Sequence, residues 1–253
     1  MIDFSRISQN SLIGKFLRKI LKLIPKNCVL PILQGKLRGK KWIIGSGVFS
    51  YWLGSYELEK QKIFVKMLKL GDVVYDIGAH VGFYSLLASK LVGDKGIVYS
   101  FEPNPQNAYF ILRHIQLNKI GNVKLFMGAV GENFDLQFLS DEGPESKIKG
   151  GNSMSKIIIP IFSLDDVVFK YKIILPPNVL KIDVEGFELK VIKGAEKVIR
   201  EYKPKLFIAL DNKDTKLEIY KFIKNLEYVI LNLNLHELKE SEIYDHNEIV
   251  CLF

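Results

Sequence analysis

The stretch Val73-Val74-Tyr75-Asp76-Ile77-Gly78-Ala79-His80-Val81-Gly82-Phe83-Tyr84-Ser85 decides how this chain folds. Val73 to Asp76 reads as a short apolar strand, and Tyr84 to Leu91 reads as a helix. Between them, Gly78 and Gly82 let the backbone turn tightly and approach a ligand with no side chain between. A second apolar run, Ile97 to Phe101, ends in Glu102-Pro103-Asn104, so an acid stands 26 residues beyond Asp76. An acid after the second strand is placed to accept hydrogen bonds from ribose hydroxyls. Gly78-x-x-x-Gly82 lacks the middle glycine that lets a backbone close on a pyrophosphate. An adenosine ligand without a pyrophosphate therefore fits better than a dinucleotide.

The alternation continues outward on both sides. Upstream, Glu57 to Leu70 is an amphipathic helix with Ile63, Phe64, Met67 and Leu68 on its apolar side. Downstream, Gln106 to Asn118 predicts a helix, and Val123 to Met127 a third strand. Val179 to Asp183 and Leu206 to Leu210 predict two more strands, followed by helices over Leu189 to Arg200 and Leu217 to Leu226. Tyr228 to Leu233 and Ile249 to Phe253 suit a closing hairpin. Phe134 to Phe138 and Ile157 to Phe162 read as strands of an insertion around a polar loop. Residues 29 to 55 read as short strands and turns, in which Trp42-Ile43-Ile44 and Gly45-Ser46-Gly47 suggest a hairpin or a small cap. Alternating strands and helices predict a mainly parallel sheet covered on both faces. Ligands of such sheets bind at the carboxyl ends of the strands.

Composition narrows the function classes. The 253 residues carry 36 Lys+Arg against 28 Asp+Glu, and 48% are hydrophobic, which excludes a disordered chain. Cys28 and Cys251 stand near opposite ends, with neither a disulfide framework nor a metal-ligand spacing. Ten of the basic residues fall in the first 41 positions beside one acid, Asp3, so the remainder has net charge −1. A nucleic-acid-binding body would carry its own basic face, and nucleic acid is not expected as a partner. Within Ser11 to Lys26, Leu12, Phe16, Ile20 and Leu23 alternate at helical spacing with Lys15, Arg18, Lys19 and Lys22. Such a helix either packs its apolar face on the main domain or lies in an anionic membrane interface. No run of about 18 apolar residues is long enough to span a bilayer.

The segments VVYDIGAHVGFYSLLASKLVG, GIVYSFEPNPQN, NVKLFMGAVGE, FSLDDVV and VLKIDVEGFELKVIKGAEKVI, in this order, resemble the FkbM family of S-adenosylmethionine-dependent methyltransferases. The resemblance covers about residues 57 to 253, leaving 1 to 56 as a basic helical arm and small cap. It implies the class I methyltransferase fold, α/β, with a seven-stranded, mostly parallel, Rossmann-like sheet and an antiparallel seventh strand. It also implies O-methylation of a hydroxyl on a sugar, glycan or secondary metabolite. Asp76, Gly78, Ala79 and Gly82 then surround the methionine part of the cofactor, Glu102 takes the ribose with Asn104 beside it, and Gly128-Ala129 packs near the adenine. Asp183 ends the fourth strand next to the transferred methyl, while Glu185 either shares that site or caps the following helix.

Two departures from the family pattern bear on chemistry. His80 stands where the family has Asn, and either replaces an amide hydrogen bond or acts as a base. The fifth strand carries Ala209 and Asp211 where the family has Glu and His. Asp183, Asp211 and His80 are thus the candidates for removing the acceptor proton. By analogy with catechol-type enzymes, Asp183, Asp211 and Asn212 could hold Mg²⁺. Gly150-Gly151-Asn152-Ser153 is either an acceptor-binding segment or a plain loop. The rival readings are a nucleotide-sugar or NAD-dependent enzyme and a non-catalytic scaffold. The expected setting is cytoplasmic, with peripheral contact at the inner membrane face through the arm.

Overall fold

A computed structural model of the chain describes Lys19, Leu21 and residues 23–140, 148–149 and 157–253. Most of the basic arm and the Gly150–Ser153 segment lie outside the described residues. The central sheet is built on strands β3 (Val73–Ile77), β4 (Ile97–Phe101), β5 (Val123–Phe126), β10 (Val179–Ile182), β11 (Lys205–Ala209), β12 (Val229–Leu231) and β13 (Glu248–Leu252). Their order across the sheet is β12-β13-β11-β10-β3-β4-β5. β13 runs antiparallel to both β11 and β12, and the other pairings are parallel. The closing pair is therefore antiparallel as expected, and it forms one edge of the main sheet.

Both faces of β3, β4, β10, β11 and β13 are buried. Val74, Val98, Val179, Phe207 and Val250 point into one core, shared with helices α2 (Leu58–Met67) and α3 (Phe83–Val92). Tyr75, Tyr99, Leu180, Leu206 and Ile249 alternate onto the other face. There they meet α5 (Glu188–Lys193), α6 (Glu196–Tyr202) and α7 (Lys216–Asn225). Each fully buried Val, Leu or Ile contributes about 1.5–3 kcal/mol relative to exposure. Helix α4 (Pro105–Leu117) packs Ile111 against Gly82, where an added Cβ would lie 3.1 Å from the Ile111 side chain.

Where elements differ from expectation, a contact accounts for it. Leu189 to Arg200 is two helices, because Gly194 interrupts them. A Cβ at Gly194 would sit 1.9 Å from the Gly131 carbonyl oxygen, and its own carbonyl accepts from the Asp165 N–H at 2.9 Å. Gly45-Ser46 belongs to a tight helical turn (Ile44–Ser46), while the hairpin itself pairs β1 (Val29–Pro31) with β2 (Lys41–Ile43). Ala129–Val130 forms a further strand, β6, which joins β7 (Asp135–Leu139), β8 (Ile148–Lys149) and β9 (Ile158–Phe162) in a second sheet. The cap shares a core with the sheet: Trp42, Tyr51 and Ile32 are buried among Phe64, Val81 and Phe83. Among the described residues, no helix is long and apolar enough to cross a membrane.

Candidate functional site

A cleft of about 460 Å³ opens at the carboxyl ends of β3, β4 and β10. Ligand sites commonly fall between about 300 and 1,000 Å³. Ile77, Gly78 and His80 line it from the first turn, Phe101 and Glu102 from the second, and Asp183, Val184, Glu185 and Phe187 from the fourth. Gly47, Val48, Tyr51 and Tyr56 close it from the cap.

The first turn is held by main-chain bonds. Gly78 N–H and Ala79 N–H both donate to the Phe101 carbonyl at 3.0 Å. Gly78 has φ 76°, and a Cβ there would lie 1.8 Å from the Asp183 carbonyl oxygen, so only glycine fits between β3 and β10. His80 follows with φ 51°, a left-handed conformation that His adopts more readily than most residues.

Glu102 ties the two turns together. One carboxylate oxygen accepts from His80 N–H at 2.7 Å; the other accepts from Asn104 N–H at 2.9 Å and from the Asn107 amide at 3.2 Å. Burial pushes its pKa up to about 7, against the pull of those donors. Two oxygens offer about four acceptor sites, so the carboxylate retains capacity for a ligand hydroxyl. The Asn104 side chain caps α4, accepting from Gln106 N–H at 2.8 Å and Asn107 N–H at 3.2 Å.

Behind the cleft lies a buried polar row. Register places Lys181 beside Asp76 and Asp76 beside Ser100. Lys181 Nζ stands 3.2 Å from Asp76 Oδ1 and 3.4 Å from Asp183 Oδ2. Ser85 donates to Asp76 Oδ2 at 2.6 Å. Burial opposes ionisation of Asp183, yet the Lys181 and Lys60 cations hold its pKa below the ordinary carboxylate value. Asp183 is thus an ionised carboxylate aimed along the strand end. Outside it, Lys60 bridges Glu57 at 2.6 Å and Glu248 at 2.5 Å.

The predicted residues separate into two groups. Gly78, His80, Glu102, Ala129 and Asp183 line one cleft. Asp76, Ala79, Gly82 and Asn104 brace its turns from behind, and Gly128 packs against Phe162 and Pro160. Asp211 stands beyond β11, its residue exposed but its carboxyl partly desolvated; that desolvation and the nearby Asp183 charge raise its pKa. Glu185 lines the cleft, whereas the turn into α5 is closed by Glu188, whose carboxylate accepts from Gly186 N–H at 2.8 Å. Lys181, Tyr51 and Tyr56 were not expected. Lys181 had a signal, a lone cation in a fully apolar strand two residues before an acid; the tyrosines had none.

Two of the three residues considered for Mg²⁺ already have their oxygens engaged. Asp183 is paired with Lys181, and Asn212 Oδ1 accepts from Asp214 N–H at 3.0 Å. Among the described residues, no group of three or more His, Cys, Asp or Glu side chains is arranged to hold a metal ion.

Comparison with known proteins agrees with this geometry. The family model described as the methyltransferase FkbM domain matches residues 76–238. Hexuronic acid methyltransferase AglP of Haloferax volcanii is 26% identical over 171 residues, covering 63% of this chain and 70% of that protein. A probable cobalt-precorrin-6B C(15)-methyltransferase (decarboxylating) of Sulfolobus acidocaldarius is 30% identical over 111 residues, covering 42% of this chain and 56% of that protein. The crystal structure of methyltransferase FkbM from Methylobacillus flagellatus superposes with TM-score 0.51 at 22% identity, covering 72% of this chain and 43% of that one. The chain spans less than half of that solved structure, and the likeness carries the fold. With a family model matched across most of the sheet and its cleft, the chain belongs to the FkbM family of S-adenosylmethionine-dependent methyltransferases.

Proposed function

We propose that this chain methylates a hydroxyl group of a sugar or glycan, with Glu102 and the Gly78 turn holding the methyl donor and Asp183 facing the reacting end. The observation that carries this reading is the single cleft joining Glu102, His80 and Asp183 in a chain of this family. The hexuronic acid substrate in the name of the Haloferax volcanii relative supports a sugar acceptor.

When bound, S-adenosylmethionine supplies an electrophilic methyl on a sulfonium. The cleft suits such a molecule: Glu102 has acceptor capacity for ribose hydroxyls, and Phe101, Ala129 and Val130 offer an apolar wall for a purine. Asp76, Gly82, Asn104 and Gly128 keep the turns in place. The chain's own work is mainly alignment, because an in-line displacement gains much of its rate from holding the reacting atoms in place. Asp183 is ionised and within the cleft, so it can orient and accept the proton of an acceptor hydroxyl. Asp211, beyond β11, is a second carboxylate that can take that role. Asp183 already has the Lys181 ammonium as its partner, so no step is assigned to a metal ion.

We also assign the basic arm a peripheral contact with anionic membrane. The support is its charge, ten basic residues against one acid in the first 41 positions. Incubation of a cell glycan extract with labelled methyl donor tests the main reading. Label should appear in the carbohydrate fraction, withstand EDTA and dialysis, and vanish with Asp183→Asn. Label confined to protein or small non-sugar molecules would reject the glycan acceptor.

A further inference from the structure

We propose that the Tyr56 hydroxyl donates a hydrogen bond to the α-carboxylate of S-adenosylmethionine, so that the cap reads the amino-acid end of the cofactor. The inference rests on reading the cleft as the methyl-donor site.

The amino-acid end of that molecule is a zwitterion, and the cleft must answer both of its charges. With Glu102 at the ribose and Phe101, Ala129 and Val130 along the purine, that end falls among Gly78, His80, Asp183, Tyr51 and Tyr56. Asp183 is a carboxylate, which suits the ammonium group and repels the carboxylate. Among the described residues, no Lys or Arg side chain lines the cleft. Lys181, behind it, is paired with Asp76 and Asp183, and Lys60 with Glu57 and Glu248. The main-chain N–H groups of the first turn are also engaged. Gly78 and Ala79 donate to the Phe101 carbonyl, His80 to Glu102, and Gly82 to the Ala79 carbonyl at 2.8 Å. The Asn107 amide donates to Glu102, and the Tyr51 hydroxyl and His80 Nδ1 face each other at 3.1 Å. The Tyr56 hydroxyl brings to that end a donor that none of these bonds uses.

Tyr56 is held in place by its own surroundings. The short helix α1 (Phe49–Leu53) ends at Gly54, with φ 71°, where a Cβ would lie 2.2 Å from the Gln34 carbonyl oxygen. Only glycine makes that turn. Beyond it, the Tyr56 N–H donates to the Ser50 carbonyl at 3.1 Å, and the Tyr56 carbonyl accepts from the Gln61 side-chain amide. The ring lies 4.3 Å from that of Tyr51, 5.6 Å from Phe83 and 6.3 Å from Tyr84, centroid to centroid. Burial pushes the phenol pKa up, so the hydroxyl keeps its proton at neutral pH. A side chain already ordered in this way binds without a large ordering cost. Tyr56 stands upstream of the matched family stretch, 76–238.

Titration calorimetry of the full chain tests this with two ligands: S-adenosylhomocysteine and its decarboxylated analogue, an aminopropyl thioether of the same adenosine. The wild type should prefer S-adenosylhomocysteine about ten- to hundredfold, the effect of a hydrogen bond to a charged group. Tyr56→Phe should weaken S-adenosylhomocysteine by about that factor and leave the analogue unchanged, so that the preference disappears. Tyr56→Leu, also without a donor, should lose the preference too and serves if Tyr56→Phe does not fold. A preference retained in the folded variant, including equal weakening of both ligands, would overturn the proposal. Equal binding of the two ligands by the wild type would overturn the proposal alone. Absence of any S-adenosylhomocysteine binding by the wild type would reject the methyl-donor reading and the proposal with it.

Discussion

Glu102 shows how a binding group can cost the fold stability. Its carboxyl is buried, and its pKa stands near 7 against an ordinary value of 4.5. A carboxyl whose pKa is raised on folding contributes stability below the unfolded value and loses it as pH rises through the folded value. Between pH 4.5 and 7 the shift corresponds to about 3 kcal/mol lost. Ligand binding should slope the other way, because ribose hydroxyls donate better to a carboxylate than to an acid. Urea denaturation from pH 5 to 7.5 should therefore show the wild type losing more stability than Glu102→Gln. Titration with S-adenosylhomocysteine over the same range should show wild-type affinity rising with pH. Parallel stability slopes in the two proteins would remove Glu102 as the cause. Glu102 was legible from the sequence because strand-end position and spacing identify it locally. Lys181 stood out as a lone cation in an apolar strand, but its role did not, because only register shows that Asp76 and Asp183 flank it.

At the scale of elements, the strands were legible and the joints between them were not. Apolar runs predict β3, β4, β10 and β11 to within a residue, since both faces of each are buried. The Gly194 break was hidden, because its cause is a carbonyl oxygen of a distant turn, that of Gly131. The tie between cap and α4 is of the same kind. His114 is fully buried on α4; its Nδ1 donates to the Val81 carbonyl at 3.0 Å and its Nε2 accepts from Ile43 N–H at 3.2 Å. Its ring stacks on Trp42 with centroids 3.8 Å apart. This arrangement requires a neutral ring, and burial pulls the pKa down to about 4 from 6.5. A histidine with a depressed pKa contributes stability above its unfolded value, and that contribution is lost as pH falls toward the folded one. About 3 kcal/mol should go between pH 6.5 and 4. His114→Phe keeps the stack but strands two main-chain groups, costing about 2–4 kcal/mol at pH 7. The gap between variant and wild type should narrow at pH 4.5, as measured by urea midpoints. A gap constant with pH would mean that His114 is not the titrating group.

For the whole molecule, the question is which part of the N-terminal region belongs to the fold. The described portion of that region is joined to it: Gly45 N–H donates to the Lys26 carbonyl at 2.5 Å, and Ile44 N–H to the Cys28 carbonyl at 2.9 Å. Trp42 and Ile32 are each 1% exposed in the core that covers α2 and α3. Removing residues 1 to 56 would bare Val81, Phe83 and His114, and each large apolar side chain uncovered costs about 1.5–3 kcal/mol. Total stabilities are about 5–15 kcal/mol, so that truncation should not fold. Removing residues 1 to 22 leaves the Lys26 and Cys28 contacts in place while deleting Arg6, Lys15, Arg18, Lys19 and Lys22. If the arm serves a membrane, this shorter truncation should keep the melting temperature and lose binding to anionic vesicles. The full chain should sediment with phosphatidylserine vesicles at low salt and release as salt rises, because about 1 kcal/mol per basic residue is screened within a Debye length of about 10 Å at 0.1 M. If the apolar face instead packs on the domain, the same truncation should lower the melting temperature and leave sedimentation unchanged. The two outcomes are read from one pair of proteins, and a truncation that changes neither property would remove both roles from residues 1 to 22.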